Sequence, residues 1–487
     1  MGIWIVGFLR ITRLKDRNST VMIKLFGIYI SKAVVLLAVI EILIFFSSMF
    51  GAIYLRHKFG TDLVPIDSDT LQNLPTIYAV IMFSSMTALG LYQKGSMASS
   101  SGFLLRLLLG FLVGGLIMAF LFFSLQLFPN TDLSLFTHGF TLSILGILIA
   151  RTLFVRVTSD KTLKRRVLVL GVGINADRIE ESVKSKDTVG IVVVGYVNLG
   201  DRIELIDESR QVVKDQTLLE ISNRFAVDEI VVAVDDRRKK LPNHELLECK
   251  IRGIQILDLL TFFEKELSII NIDLLYPSWM LYTDGYRQKA LNRTFKKTFD
   301  MTVGIVIFIV AAPLMILVAL ASLIESGGRD PILYSQVRVG KNGKLFKVFK
   351  FRSMRTDAEA DGVARWASKN DARITKLGGF LRKTRLDELP QIYNILNGDM
   401  SLVGPRPERP EFVLQLSNDI PYYLQRHWVK PGLTGWAQLL YPYGASEEDA
   451  KRKLEYDLYY VKNASTMLDF IILLQTIEVV LLGKGAQ

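Results

Sequence analysis

The chain has 487 residues, of which 50% are apolar, and it carries a formal net charge of +11. This length allows about three domains. Because the Lys and Arg residues flank apolar segments instead of forming one basic face studded with aromatics, anionic lipid headgroups and phosphorylated substrates are favoured over nucleic acid as partners. The single cysteine, Cys249, excludes an intrachain disulfide bond and a metal cluster built from several cysteines.

Apolar runs dominate the N-terminal third, and four of them approach the roughly 20 residues that a spanning helix needs. They cover about 33–55, 77–92, 104–128 and 140–155. Basic residues precede the first run, separate the second from the third and follow the fourth, whereas the loop 129–138 contains neither Lys nor Arg. The positive-inside rule therefore predicts a four-helix transmembrane domain over residues 1–157, with the N-terminus and everything after Arg151 in the cytoplasm.

One acidic residue, Glu41, lies inside the first of these runs. A carboxyl group within a membrane is by default a candidate functional group. Four helices with a single such acid make a poor transporter, so we expect an interhelical hydrogen bond or a headgroup contact for this side chain.

Residues 158–275 alternate short apolar strands with polar helical stretches, a pattern that predicts a Rossmann-like α/β domain with a parallel sheet. Gly171, Gly173 and Ala176 match the dinucleotide-binding fingerprint, which is a weak signal by itself. The acid that should follow the second strand has no clear match among Tyr196, Asn198 and Asp201. The pattern predicts the fold without deciding for or against a bound nucleotide.

A tyrosine-rich stretch, 276–295, is predicted to be a linker, and an apolar run at about 301–324 follows it. Pro313 lies near the middle of this run, where it removes a helix hydrogen bond and favours a kink. Basic residues on both sides fit two ends on one membrane face. We therefore predict a re-entrant helix with a break at Pro313 in preference to an ordinary span, which would carry the later residues across the membrane.

Two adjacent carboxylates, Asp387 and Glu388, begin a segment with helical periodicity that ends at Asn397. Thr384 is typical of a helix N-cap, so both acids are predicted to lie in a first turn. The helix dipole and the charges of Arg382, Lys383 and Arg385 should keep both acids ionised. Such a pair suits a carboxylate nucleophile or an Mg²⁺ ligand, although acids in a first turn can simply favour the dipole.

Cations for a phosphate are available on both sides of this pair. Lys350 and Arg352 belong to a strand in which aromatic and basic residues alternate, and Arg406 lies between two prolines that make its backbone rigid. Phosphoryl transfer needs cations to offset charge on the equatorial oxygens. We therefore predict that a phosphate or nucleotide is bound by Lys350, Arg352, Arg382, Arg385 and Arg406.

Four motifs occur in order along the chain. They are 350–354, the stretch that begins at Arg382 and contains the two acids, Pro405–Pro407 at the end of that stretch (382–407), and 431–438. Together they resemble the catalytic domain of the bacterial sugar transferases, monotopic phosphoglycosyltransferases that act on polyprenyl phosphate. The resemblance covers about 296–487 and implies an α+β catalytic domain with a re-entrant membrane helix. One departure is Ala312, since the family typically has Ser before the proline of the break.

The resemblance implies a two-step reaction. Asp387 attacks the sugar-bearing phosphorus of a UDP-sugar and releases UMP, and polyprenyl phosphate then takes the phosphosugar from Asp387. Glu388 is implied as the Mg²⁺ ligand, and Asp457 falls on a family motif to which no role is assigned. Large members of the family carry a Rossmann-like module for which a regulatory or dimerising role is expected. The resemblance therefore implies a homodimer in the bacterial inner membrane. It also implies a role in exopolysaccharide synthesis.

Other side chains in this region have structural interpretations. His427 could be a base, but an aspartyl nucleophile needs no deprotonation, so a structural or interfacial role is favoured. The last apolar segment, 467–482, suits an interfacial helix. The headgroup layer is favoured for the aromatic residues Trp428, Trp436, Tyr441 and Tyr443.

Two other functions fit parts of the sequence. A membrane-anchored nucleotide-sugar dehydratase could share the spans and the dinucleotide fold, but it needs Tyr-x-x-x-Lys, a spacing that occurs only at Tyr54 and Lys58. A non-enzymatic polymerisation partner would leave glycan synthesis intact after Asp387→Asn. The sequence names neither the hexose nor the length of the lipid.

Overall fold

The computed structural model describes residues 22–25, 28–59, 68–92, 100–124, 133–158, 164–185, 190–201, 203–236, 241–283, 285, 290–358, 371, 373–441, 444 and 446–481. The chain forms two compact units. The first contains residues up to 25 and 29–267, and the second contains 26–28 and 268–487. The basic stretch before residue 22, the first part of the loop 129–138 and Tyr443 lie outside the described residues.

The first unit begins with four helices that follow two short strands, β1 (Met22–Leu25) and β2 (Ile28–Ser31). The helices are α1 (Lys32–Phe59), α2 (Ser68–Ala88), α3 (Ser100–Ala119, continued by a π-helical turn) and α4 (Leu133–Thr158). Among the described helices, α1, α3 and α4 are three of the four that are long and apolar enough to cross a membrane. The second helix, which contains Pro75, is not among them, so three of the four predicted N-terminal spans are supported.

An ion pair links the first and fourth helices of this bundle. Arg151 contacts Glu41 through Nε at 2.6 Å and Nη2 at 2.9 Å, and both side chains are buried. Tyr92 donates a further hydrogen bond to the same carboxylate. The predicted interhelical contact of Glu41 is confirmed. From the sequence, its partner Arg151 is expected only as a basic residue on the cytoplasmic side.

The first unit continues with a five-stranded parallel sheet, as predicted. Its strands are β3 (Arg165–Leu170), β4 (Ile191–Val197), β5 (Gln211–Val212), β6 (Glu229–Val232) and β7 (Gln255–Asp258), in the order β5-β4-β3-β6-β7. Its helices are α5 (Ile174–Lys184), α6 (Leu218–Arg224), α7 (Asn243–Ile251) and α8 (Leu259–Leu267). The strand order reverses between β3 and β6, which is where Rossmann folds bind a nucleotide.

A carboxylate from the chain itself lies at this switch point. Asp235, just after β6, accepts hydrogen bonds from the backbone N–H groups of Ile174 and Asn175, each at 3.0 Å. These groups begin α5, where a dinucleotide-binding fold holds the pyrophosphate. A Cβ at Gly173 would lie 2.1 Å from the Asp235 carboxylate, so glycine is needed for this contact. Gly173 thus leaves space for the Asp235 carboxylate at the start of α5. A phosphate bound at this position would have to displace that carboxylate.

The second unit contains the apolar run and all the predicted site residues. Its helices are α9 (Pro277–Tyr282), α10 (Ala290–Ser326), α11 (Lys376–Thr384), α12 (Gln391–Asn397), α13 (Pro410–Asp419), α14 (Trp436–Leu440), α15 (Glu447–Asn463) and α16 (Thr466–Leu481). Strands β8 (Leu333–Val339) and β9 (Leu345–Phe351) form an antiparallel hairpin, and β10 (Ser401–Val403) pairs in parallel with β11 (Gly432–Thr434). Within the stretch predicted as a linker, residues 277–282 and 290–295 are helical.

Helix α10 continues through Pro313, so the chain does not leave the helix there, and a bend within the helix at this proline stays a prediction. Proline removes one N–H donor, and the helical hydrogen bonds on either side of it can continue. Near the start of α10, Lys296 donates to Ser401 Oγ at 2.5 Å and pairs with Asp469 at 2.7 Å. Near its end, Glu325 accepts a hydrogen bond from the backbone N–H of Leu377 at 3.0 Å. Both ends of α10 therefore contact the same compact unit.

Candidate active site

The two candidate acids lie in a single 3₁₀ turn, Leu386–Glu388, between α11 and α12. Thr384 is not the predicted N-cap, because it is the last residue of α11 and its hydroxyl donates back to the carbonyl of Phe380 at 2.8 Å. Arg385 ends α11 in the left-handed conformation, with φ 57° and ψ 18°. A non-glycine residue in this conformation costs about 1 kcal/mol. The turn therefore carries backbone strain immediately before the two acids.

Leucines on either side of the acids attach this turn to the apolar helix. Leu386 and Leu389 pack with the cluster that includes Val318 of α10 and Phe351 of β9. In a 3₁₀ turn, residues three apart lie on the same side. The two leucines therefore point together toward α10, and the acids between them project from other sides of the turn.

Two cations converge on one oxygen of Glu388. Lys350 Nζ lies 2.7 Å and Arg406 Nη2 lies 3.0 Å from Oε1. Burial alone would raise the pKa of Glu388, but the charges of Lys350 and Arg406 outweigh it and hold this pKa well below its usual range. The Glu388 carboxylate is therefore ionised at neutral pH.

Asp387 has a different environment from its neighbour. Burial raises the pKa of Asp387 above its usual range, the charge of Glu388 adds to this rise, and Lys350 and Arg406 oppose it. The sequence predicts that a helix dipole and nearby cations keep both acids ionised. The pKa values of the two acids differ because Lys350 and Arg406 make direct contacts with the Glu388 carboxylate.

The predicted cations divide into groups. Lys350 and Arg406 meet at Glu388, while the charge of Arg382 acts on Asp387 and that of Arg385 on Glu388. Arg352 is placed elsewhere: its guanidinium pairs with Asp330 at 3.0 Å and donates to the carbonyl of Pro331 at 2.9 Å. Strand β9 ends at Phe351, so the alternation that would bring Arg352 beside Lys350 stops before it.

A buried amide that the sequence analysis missed holds Lys350 in place. Asn394 of α12 donates to the carbonyl of Lys347 at 2.7 Å and accepts from the backbone N–H of Phe349 at 3.2 Å. These contacts fix the end of β9 against α12, one residue from Lys350. The available signal was a polar residue between Ile392 and Ile395 in the helical apolar pattern.

Three further predictions concern the region after α13. His427 is buried, and burial together with the charge of Arg426 lowers its pKa to about 3, which agrees with a structural role. Trp428 remains 43% exposed. Trp436 is buried, stacks on Tyr459 and donates to the carbonyl of Ser268 at 3.1 Å, so its prediction as a headgroup residue is wrong.

The carboxylate pair fits a metal shared with a substrate more than a preformed cage. Among the described residues, no group of three or more His, Cys, Asp or Glu side chains could hold a metal ion. Mg²⁺ is commonly held by one or two carboxylates, with water and substrate phosphates completing its shell. Both cation contacts of Glu388 fall on Oε1, so Oε2 is the oxygen of this residue that suits a metal.

Comparison of the sequence with known proteins shows the family of this chain. Residues 291–483 match the family model described as bacterial sugar transferase. An N-acetylgalactosaminephosphotransferase of Aeromonas hydrophila that acts on undecaprenyl phosphate is 38% identical over 242 residues, which cover 50% of this chain and 56% of that protein. An undecaprenyl-phosphate galactose phosphotransferase of Salmonella typhimurium is 33% identical, covering 66% of this chain and 69% of that protein.

A third relative, from Escherichia coli K12, is a UDP-glucose:undecaprenyl-phosphate glucose-1-phosphate transferase that is 31% identical over 370 residues. The alignment covers 73% of this chain and 77% of that protein. It therefore extends well beyond the second unit. The chain belongs to the bacterial sugar transferase family.

Proposed function

We propose that this enzyme transfers a hexose-1-phosphate from a UDP-sugar to polyprenyl phosphate and thereby begins the assembly of an exopolysaccharide or related glycan. The observation that carries the proposal is the convergence of Lys350 and Arg406 on the Asp387–Glu388 turn, which is attached to the apolar helix α10. A soluble nucleotide sugar and a membrane lipid can meet only at such a boundary. The relatives act on undecaprenyl phosphate but are named for three different sugars, so the hexose is not assigned.

In the first step, a carboxylate oxygen of Asp387 attacks the sugar-bearing phosphorus of the UDP-sugar. An O–P bond forms, the bond from this phosphorus to the bridging oxygen breaks, and UMP leaves with that oxygen. The raised pKa of Asp387 makes it a better nucleophile than a freely solvated carboxylate, because a more basic oxygen attacks more readily. Lys350 and Arg406 lie where they offset charge on the phosphoryl oxygens.

In the second step, the phosphate of the lipid attacks the same phosphorus and displaces the Asp387 carboxylate. The product is polyprenyl diphosphate-sugar, and the enzyme is regenerated. Because neither nucleophile carries a proton that must be removed at neutral pH, no general base is needed. The neutral, buried His427 agrees with this.

We infer that Glu388 would hold Mg²⁺. The ion would supply charge neutralisation for the diphosphate of the donor. Glu388 is suited to this because its low pKa keeps it anionic throughout the pH range of the reaction. Lys350 and Arg406 both contact Oε1, so Oε2 is the Glu388 oxygen that would hold the ion.

We further propose that α10 enters one leaflet without crossing the membrane. Lys296 and Glu325 are separated by about 44 Å along a helix, more than the roughly 30 Å of a hydrocarbon core. If α10 crossed, these residues would lie on opposite sides, yet both contact the second unit. Apolar residues exposed on α10 would face lipid, among them Ile309, Val310, Ile316, Leu317 and Ile324.

The cytoplasmic face of the bacterial inner membrane is the proposed side for the active site, because nucleotide sugars are made in the cytoplasm and the basic flanks agree with it. The homodimer stays a prediction. The dehydratase alternative is disfavoured, since Tyr54 and Lys58 lie in α1, a helix apolar enough to cross a membrane, and Asp235 occupies the position of a cofactor phosphate.

The proposal is tested by incubating the purified full chain with a panel of UDP-sugars, Mg²⁺ and undecaprenyl phosphate while UMP release is followed. We expect release with at least one donor, and a lipid-linked sugar diphosphate as product. UMP release from none of the donors would overturn the proposed reaction.

A further inference from the structure

A loop of the second unit presents Arg406 to Glu388, and this loop is held through its carbonyl groups. Pro405 and Pro407 have no N–H to donate. The carbonyl of Pro405 accepts from the backbone N–H of Gly432 at 2.9 Å. The carbonyl of Arg406 accepts from Arg426 Nη2 at 3.1 Å, and that of Pro407 from Arg338 Nη1 at 3.2 Å. Two of the three donors are therefore arginine side chains.

Arg426 is itself held by a buried carboxylate. Its Nη2 pairs with Asp457 of α15 at 2.8 Å, and its Nη1 donates to the Tyr423 hydroxyl at 2.6 Å. All three side chains are buried, with Asp457 only 2% exposed. The same nitrogen that pairs with Asp457 therefore also contacts the carbonyl of Arg406.

A buried pair of this kind needs an explanation other than stability. Removing two charges from water costs several kcal/mol per ion, so a buried ion pair is often no more stabilising than packed apolar residues. Removal of water does, however, strengthen the hydrogen bond from a charged donor to a carbonyl. The Arg406 carbonyl is thus fixed by a charged donor whose own position is set from α15.

We propose that Arg426 and Asp457 are positioning residues that act through Arg406: they hold the 405–407 loop so that the Arg406 guanidinium reaches Glu388 and the donor phosphate. This role rests on the proposed function. The chain of contacts runs from Asp457 to Arg426, to the Arg406 backbone, and from the Arg406 side chain to Glu388 Oε1 at 3.0 Å. Neither positioning residue needs to touch a substrate.

A double-mutant cycle on the full chain separates this role from general support of the fold. The variants are Asp457→Asn, Arg406→Lys and the double variant, each assayed for single-turnover UMP release and for equilibrium binding of UMP. We expect Asp457→Asn to slow UMP release about tenfold to a hundredfold, the range seen when a partner that orients a functional group is lost. In the Arg406→Lys background the same substitution should have less than about a threefold effect, because residues that act through one another are not additive.

The matched control is Glu455→Gln on the same helix. Glu455 is 1% exposed and accepts a hydrogen bond from the backbone N–H of Ile272 at 3.1 Å, so it is as buried as Asp457 but serves another contact. We expect Glu455→Gln to lower the melting temperature of the protein, as Asp457→Asn does. Its effect on UMP release should be equal in the wild-type and Arg406→Lys backgrounds.

Three outcomes are distinguishable. A smaller effect of Asp457→Asn on UMP release in the Arg406→Lys background than in the wild-type background, with no such difference for Glu455→Gln, supports the positioning role. Equal, multiplicative effects of Asp457→Asn in both backgrounds, in UMP release and in UMP binding, would overturn it while leaving the proposed reaction intact. Failure of the wild-type chain to release UMP would overturn the proposed function, and the positioning role with it.

Discussion

At the scale of single residues, the active-site turn places two acids in unlike electrostatic surroundings. Glu388 contacts Lys350 and Arg406 directly and has a lowered pKa, whereas burial raises the pKa of Asp387. Adjacent carboxylates with different pKa values can take different roles. The proposed roles of Asp387 as nucleophile and Glu388 as metal ligand agree with this difference.

Substitutions of the two acids should differ in their effects on UMP release and on adduct formation. We expect Asp387→Asn to reduce UMP release about a thousandfold or more, as loss of a nucleophile does, and to abolish the covalent phosphosugar adduct. Glu388→Gln should also slow the reaction, but added Mg²⁺ should partly restore it because Asp387 can still form the adduct. Intact-mass measurement after incubation with donor alone checks both variants. An adduct of equal yield on Asp387→Asn would contradict the assignment.

The positioning pair predicts a pH dependence. Burial raises the pKa of Asp457 to about 6, Glu408 adds to the rise, and Arg426 and Lys453 oppose it. Above this pH the carboxylate is ionised and pairs with Arg426, and below it protonation weakens the pair. The ratio of the wild-type rate to the Asp457→Asn rate should therefore be largest above about pH 6 and decrease toward lower pH.

The ratio removes pH effects common to both proteins, including ionisation of Asp387. Initial rates of UMP release across pH 5 to 8 provide the measurement, with stability checked at each pH. A ratio independent of pH would contradict the role of the Asp457 charge.

At the scale of structural elements, buried charges connect helices in both units. Glu41 and Arg151 join α1 to α4 inside the apolar bundle, and Lys296 and Asp469 join α10 to α16. Breaking one partner of a buried pair leaves an uncompensated charge, which costs more than loss of the whole pair. These contacts therefore specify which helix faces meet.

For the bundle, we expect Arg151→Leu to destabilise the protein by about 3 kcal/mol, because Glu41 stays buried and loses the cation it pairs with. The double variant with Glu41→Leu should recover much of this loss. Thermal unfolding of the detergent-solubilised full chain measures both. Arg156→Leu, on the same helix but exposed, is the control and should have a small effect. Equal destabilisation by the single and double variants would contradict the ion-pair explanation.

At the scale of the whole molecule, the arrangement of α10 decides which side of the membrane the active site faces. If α10 does not cross, residues before and after it share one side. The only cysteine, Cys249, is buried, so the natural chain gives a low labelling background.

Cysteine labelling of intact cells and inverted vesicles tests this arrangement. We expect Asp215→Cys and Lys341→Cys, which are exposed and lie on either side of α10 in the chain, to react with an impermeant thiol reagent only in inverted vesicles. Asn130→Cys, in the loop without Lys or Arg, is the control for the outer face and should react in cells. Labelling of Lys341→Cys in cells would show that α10 crosses.

The sequence by itself determined the class of the protein and the candidates for its reacting groups. Apolar runs reveal membrane helices, alternation reveals the parallel sheet, and motif order singles out Asp387, Glu388, Lys350 and Arg406, because these signals depend on residues close together in the chain. A local pattern failed at Thr384, where the capping signal was outweighed by the surrounding structure, and at Pro313 the chain stays helical.

Only the tertiary structure decided how those groups are held and charged. The contacts of Arg406 with Glu388, of Asn394 with β9 and of Arg426 with Asp457 join residues 18, 47 and 31 positions apart, counted along the chain. A pKa depends on burial and on the distance to each charge, which no local pattern contains. For the same reason Arg352, two residues from Lys350, lies at Asp330, while Asp235 lies at the start of α5.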